Sequence, residues 1–444
     1  MTVGGEGDHQ TPLLHSTLPS PSSSSCSSSS TIELPLKLSL KRTGSDSGNI
    51  WTASAHIITA VIGSGVLSLA WSMAQLGWIA GPLSMLFFAS ITILSAFMVC
   101  NCYRSPDTEN GPARNHSYLK AVWMILGKSA LLCSILLRLF LFEGGIVATV
   151  TSGISARIPD FHGMEWLSIF SAIMSFTYST IGSALGLAKV IGDGYIKGDI
   201  VGVQTYTATQ KVLLVAQALG DIAFAYPFSI ILIEIQNTLK SPPPEKVTMK
   251  NASMMATCIT TIFYLLCGGF GYAAFGNSAP GNLLTGFGFF EPYWLIDFAN
   301  VCCSSFSWSI SVFSQPQFAM VERWAAEKYP SSGFVNDNYI LVLPLLPAFR
   351  LNLFRLCFRT AYVASTTGVA IIFPYFNQVL GVAATLNFWP LIVYFPVEMY
   401  IVQKNIGKWT RKWITLHIYS SICLPVATFA LVGSIEGLIT AKYS

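Results

Sequence analysis

Residues 51–78 read WTASAHIITAVIGSGVLSLAWSMAQLGW, a stretch of transmembrane length interrupted about midway by Gly63-Ser64-Gly65. Two glycines around a serine weaken a helix and permit it to unwind. Unwinding frees backbone N–H and C=O groups at membrane depth, where lipid offers them no partner. Such groups need a ligand or an ion. In transporters built from inverted repeats, this is where the amino terminus of a half-helix meets a substrate carboxylate. The same three residues also suit a small-residue face for close helix packing, and spacing alone leaves both readings open.

Outward from this stretch, the composition sets the class. Of 444 residues, 52% are hydrophobic and only 10% charged, and the mean hydropathy is +0.55. A water-soluble globule of this size needs more charge than that. A hydrocarbon core of roughly 30 Å takes about 20 apolar residues per helix. Candidate spans run near 50–75, 78–102, 129–154, 166–190, 212–238, 252–275, 291–318, 355–376, 378–402 and 414–439. The chain is therefore expected to be an all-α integral membrane bundle over 49–444. Residues 1–48, which contain SPSSSSCSSSS at 20–30, form an expected disordered cytoplasmic tail, too poor in apolar groups to fold. No cleavable signal peptide is expected at the start.

Charge between spans predicts orientation. Lys37, Lys41 and Arg42 lie in the tail, and Arg104, Arg114, Lys120 and Lys128 follow the second span. Lys240, Lys246 and Lys250, then Arg323, Lys328, Arg350 and Arg355, then Lys404, Lys408, Arg411 and Lys412, mark further cytoplasmic segments. Loops at 103–128 and 240–251 on one side require an even number of crossings between them, whereas three spans are visible. One crossing is missing, or one candidate does not span. The weak member is 129–154, which carries Arg138 and Glu143, each costly at mid-bilayer. The sequons at Asn115 and Asn251 fall on cytoplasmic loops, so glycosylation there is not expected.

A second break is expected in GDIAFAYPFSIILIEIQ, residues 220–236. Pro227 removes an N–H donor and clashes with the preceding turn, leaving carbonyls near Ala223 free. Paired discontinuous helices in matching positions of two repeats point to a binding site at the membrane midplane, although proline kinks are common in membrane helices. Ionisable residues at membrane depth are His56, Glu143, Asp221, Glu234, Asp297 and Glu398, of which His56 and Asp221 are the proton-path candidates. The ten cysteines show no CxxC spacing, and no Walker A, HExxH or GxSxG sequence occurs. No metal, cofactor, enzymatic chemistry or nucleic-acid partner is expected.

The stretches TASAHIITAVIGSGVLSLAWSMAQLGWIAGP, GDIAFAY, IILIEIQNTLKSPPPE, SQPQFAMVERW, NLFRLCFRTAYV and LNFWPLIVYFPVEMYIVQKNIGKWT resemble those of the plant amino acid permeases, of the amino acid/auxin permease family. The resemblance implies a LeuT-like inverted-repeat bundle of eleven spans, against about ten visible here. It implies proton-coupled amino acid import, a multi-pass protein usually of the plasma membrane, and a cytoplasmic amino terminus. It further implies that Ala60, Gly63, Ser64 and Gly65 of the first span, with Ala223, Phe224 and Tyr226 of the second broken one, line the substrate site. Three departures stand out: a helix fewer around 129–154, a serine-rich CCSSFSWSIS at Cys302–Ser311, and Pro227 itself. The alternatives are a transport-incompetent membrane relative that binds or regulates, and an auxin importer.

Overall fold

The computed structural model describes residues 48–443, apart from 106–110, 112, 153–164, 288–293, 300–301, 303–317, 319–320, 323, 342–348 and 373–375. The serine-rich tail, most of the expected span at 291–318 and nearly all of CCSSFSWSIS lie outside the described residues.

Helix α1 (Ile50–Val61) begins where its sequence provides a cap. Asn49 accepts from the Thr52 N–H at 3.0 Å, and the Asn49 N–H donates to Thr52 Oγ1 at 2.8 Å, so two of the orphan donors at the helix start are satisfied reciprocally. The helix stops at Val61. Ile62 and Gly63 are extended, with φ/ψ of −76°/91° and −126°/−158°, and a short 3₁₀ turn covers Ser64–Ser68. Helix α2 (Leu69–Cys100) follows and breaks at Gly77, whose φ is +82°. Only glycine holds that conformation without strain, and the break separates the first two spans between the limits the sequence suggests.

Helices α3 (Tyr118–Leu126), α4 (Ala130–Ser152), α5 (Glu165–Asp193), α6 (Ala208–Ala225), α7 (Ser229–Gln236) and α8 (Glu245–Phe275) come next. After them lie α9 (Leu353–Ile372), α10 (Phe376–Asn387), α11 (Phe395–Gln403) and α12 (Arg411–Tyr443), with a π-helical segment at Phe388–Tyr394 joining α10 to α11. Tyr118 donates to the Leu391 carbonyl in that segment at 2.7 Å, satisfying an acceptor where the regular ladder is disturbed. The all-α expectation needs one amendment, because two small antiparallel hairpins lie outside the helices. Strand β1 (Arg104–Ser105) pairs with β2 (Ala113–Arg114), and β3 (Asn338–Leu341) with β4 (Phe349–Asn352).

Five described segments are long and apolar enough to cross a membrane: Gly65–Cys100, Ala208–Gln236, Glu245–Ser278, Gln378–Gln403 and Arg411–Tyr443. Their ends define two opposite faces of the bundle. On the proximal face, Glu245 accepts from Arg104 and Arg114, Gln403 donates to the Arg104 carbonyl, and the Lys240 N–H donates to the Gly48 carbonyl. On the distal face, the Trp78 N–H donates to the Asp199 carbonyl and the Lys197 N–H to the Ala273 carbonyl. The loops at 103–117 and 240–245 therefore share one side of the molecule. Asn115 is fully buried there, donating to the Cys102 carbonyl at 2.8 Å.

Helices α4 and α5 run in the same direction although they are consecutive. Helix α5 climbs beside α8 in parallel, with contacts at Phe176–Phe263, Ser183–Cys267 and Lys189–Phe275, and so ends on the distal face. Helix α4 starts at the proximal face, where Cys133 in its first turn neighbours Tyr118, which in turn neighbours Cys102. Phe142 then reaches the level of Tyr362 in α9, a helix that ends just before α10 begins. Between Ser152 and Glu165 lie residues 153–164.

Candidate functional site

The two breaks expected from sequence face each other. Helix α6 starts with Thr207, whose side chain accepts from the Gln210 N–H, and ends at Ala225. Tyr226 closes it, Pro227 brings no N–H, and α7 restarts at Ser229. A Cβ built on Gly65 would stand 3.0 Å from Phe224 Cδ1 and 3.4 Å from the Ala225 Cα. The first break and the second are thus packed backbone to backbone, and the absence of a side chain at Gly65 sets how closely they approach.

This arrangement has two kinds of pole. The N–H groups of Ser64 and Gly65 open the 3₁₀ turn and have no partner within it, so the first half-site presents donors. The last carbonyls of α1 and α6 present acceptors with the negative ends of two helix dipoles. Among the residues expected to line the site, Gly65, Ala223 and Tyr226 are buried, while Ala60, Gly63 and Phe224 are part-exposed. The backbone of Ser64 lies within the same turn.

Tyr264 was not anticipated. It is fully buried in α8, and its hydroxyl lies 2.7 Å from the Val61 carbonyl and 2.9 Å from the Ala225 carbonyl. Val61 is the last residue of α1 and Ala225 the last of α6. The Tyr264 ring stands edge-on to that of Tyr226 with centroids 5.3 Å apart. Sequence offered one signal: a phenol in the middle of a span requires a partner.

Asp221 occupies a separate place. It lies inside α6, one turn before the break, and is fully buried. Among the described residues neither carboxylate oxygen has a hydrogen-bond partner, and the same holds for Nε2 of Gln217 one turn earlier. A Cβ on Gly381 of α10 would stand 3.0 Å from Asp221 Oδ1, and one on Gly220 would meet Ser434 Oγ of α12 at 2.8 Å. A cluster of polar groups therefore lies at the junction of α6, α10 and α12. His56, by contrast, is exposed on α1, and the structure does not bring it into the break. Of the other ionisable candidates, Glu234 is part-buried in α7 and Glu398 part-buried in α11, while the side chain of Glu143 lies outside the described ones.

The sequence matches the family model described as transmembrane amino acid transporter protein, in two segments, 46–157 and 154–440. Among curated proteins, it is 50% identical to probable amino acid permease 7 of Arabidopsis thaliana over 89% of this chain and 94% of that one. It is 45% identical to amino acid permease 2 of the same plant, over 90% and 89%. Lysine histidine transporter-like 1 is more distant, 26% identical over 89% of each chain.

Proposed function

From the premise that this chain belongs to the family of transmembrane amino acid transporter proteins, and is a multi-pass membrane transporter rather than an enzyme, we propose that it is a proton-coupled amino acid symporter working by alternating access. The observation that carries this reading is the contact between the two breaks, Gly65 against Phe224 and Ala225. It supports a midplane site in which the substrate carboxylate meets the N–H groups of Ser64 and Gly65. Ala60, Gly63, Ala223, Phe224 and Tyr226 border the remainder of the substrate. The relatives' names speak for amino acids over auxin.

Asp221 holds the coupling proton in this reading. It takes the proton from one side and yields it to the other as α6 moves against α10 and α12, which exchanges its surroundings. A carboxyl group among unpartnered polar atoms in the bundle interior is where a membrane protein keeps such a function. His56 remains a candidate for entry of the proton, from its exposed position on α1. The basic proximal face is cytoplasmic by the charge rule, with the amino terminus on the same side and the protein in the plasma membrane.

One observation favours a second reading, a relative that binds amino acids without moving them. Helices α4 and α5 run the same way, and the family match divides at 154–157 between them. Both accord with a crossing lost at this point. Uptake into proteoliposomes separates the two. Saturable accumulation driven by an imposed pH gradient supports the symporter, and amino acid binding without flux supports the non-transporting relative.

A further inference from the structure

We infer that Tyr264 is the positioning residue that docks the two half-sites onto each other, through one hydroxyl hydrogen held between the carbonyls of Val61 and Ala225. This assignment rests on the reading of the two breaks as a substrate site. The argument begins with what broken helices leave behind. The last four carbonyls of a helix have no intrahelical donor, and they carry the negative end of its dipole. Here two such ends, from α1 and from α6, point at one place in the bundle interior. Two negative poles in a medium of low dielectric repel.

A third element supplies the opposite pole. Helix α8 continues unbroken from Glu245 to Phe275 and places Tyr264 with its hydroxyl 2.7 Å and 2.9 Å from the two oxygens. The group has a single hydrogen, so it serves both carbonyls by sharing or alternating. Freed carbonyls at such breaks are also the groups with which transporters bind a monovalent cation. With the phenol oxygen seated between them, that role falls to a covalently fixed O–H. The ring packs edge-on against that of Tyr226, at 5.3 Å. Tyr264 therefore ties α1 to α6 through their terminal carbonyls, leaving the N–H groups of Ser64 and Gly65 to the substrate carboxylate. Release of either carbonyl lets one half-helix move while the other stays on α8.

The test is hydrogen exchange of the full chain, compared between wild type and Tyr264→Phe, which keeps the ring and deletes the hydroxyl. Protection is expected to fall together at 58–66 and at 222–229, roughly tenfold at each, the share of one hydrogen bond. Incorporation of 3,5-difluorotyrosine at 264, a stronger donor of nearly the same shape, is expected to slow exchange at both segments and keeps the assignment testable should the phenylalanine variant not fold. Change confined to α8, or at one break alone, overturns the assignment. In uptake, Tyr264→Phe is expected to raise KM about tenfold and to lower the maximal rate less than threefold; a fall in the maximal rate that follows the amount of folded protein, with KM unchanged, marks a merely structural role and overturns the assignment. A wild-type chain without flux whose two breaks still respond together to the substitution removes the transport reading and leaves the positioning role of Tyr264 intact.

Discussion

Gly65 and Phe224 touch across the two broken helices, with room for a hydrogen and none for a branched side chain: a Cβ at Gly65 would lie 3.0 Å from the Phe224 ring. Gly65→Ala asks the ring to give by a few tenths of an ångström, and uptake should fall only a few-fold. Gly65→Leu forces the half-sites apart. Overpacking of this kind costs about 1–3 kcal/mol, or roughly 5- to 150-fold in apparent affinity. Radiolabelled uptake at matched surface expression decides the point, and full activity in the leucine variant would remove Gly65 from the site.

Asp221→Asn keeps the shape of the side chain and removes its ability to exchange a proton. Accumulation driven by a pH gradient should drop at least tenfold, while exchange of internal for external amino acid, which needs no net proton movement, should continue. Undiminished gradient-driven accumulation by the asparagine variant would move the coupling role away from α6. Because Gly381 lies against the same carboxylate, Gly381→Ala should impair coupling more than Gly368→Ala, a substitution in α9 at a position that no described atom crowds.

What the sequence made legible here acts on the backbone. Gly63, Gly65 and Pro227 each restrict or free φ and ψ locally, so their effects can be read without knowing any partner. The break at Gly77 is of the same kind. Tyr264 escaped because its partners are carbonyls 203 and 39 positions away, and a buried phenol looks in sequence like any other aromatic of an apolar run. His56 illustrates the reverse. One position separates it from the fully buried Ile57, and at about 100° per residue that is enough to turn it out of the bundle. The two small hairpins were invisible for a different reason, since strands of two and four residues leave no periodicity to detect.

On the proximal face, Glu245 accepts from Arg104 at 2.8 Å and Arg114 at 3.1 Å, and its side chain is only 6% exposed. Glu245→Ala leaves two guanidinium groups facing each other, one of them 20% exposed, which should destabilise the chain by about 1–3 kcal/mol. Arg114→Ala removes the more exposed arm and should cost less than about 1 kcal/mol. The double variant should unfold no earlier than Glu245→Ala alone, since the second charge no longer has a partner to lose. Thermal unfolding in detergent measures all three, and additive losses would show that the triad is not a unit.

On the distal face, the loop after α5 is held by backbone geometry and one cation. Gly77 and Gly202 sit back to back with φ of +82° and +76°, and a Cβ on Gly77 would run into the Ile200 carbonyl. Lys211 Nζ donates to the carbonyls of Gln75 at 2.7 Å, Val201 at 3.0 Å and Val203 at 2.7 Å, so it gathers the end of the first span and the loop around a single charge. Charge-assisted bonds of this kind are about twice as strong as neutral ones. Lys211→Met should therefore loosen the loop while α6 itself persists. The reporter is the Val203 amide, which donates to the Ala74 carbonyl at 2.9 Å; its hydrogen exchange should accelerate at least tenfold in Lys211→Met and further in Gly77→Ala, where the strained φ and the clash with Ile200 act together. Unchanged protection in the methionine variant would mean that the Val203–Ala74 bond alone fixes the loop, and that Lys211 serves only to neutralise the carbonyls left open where the first span ends.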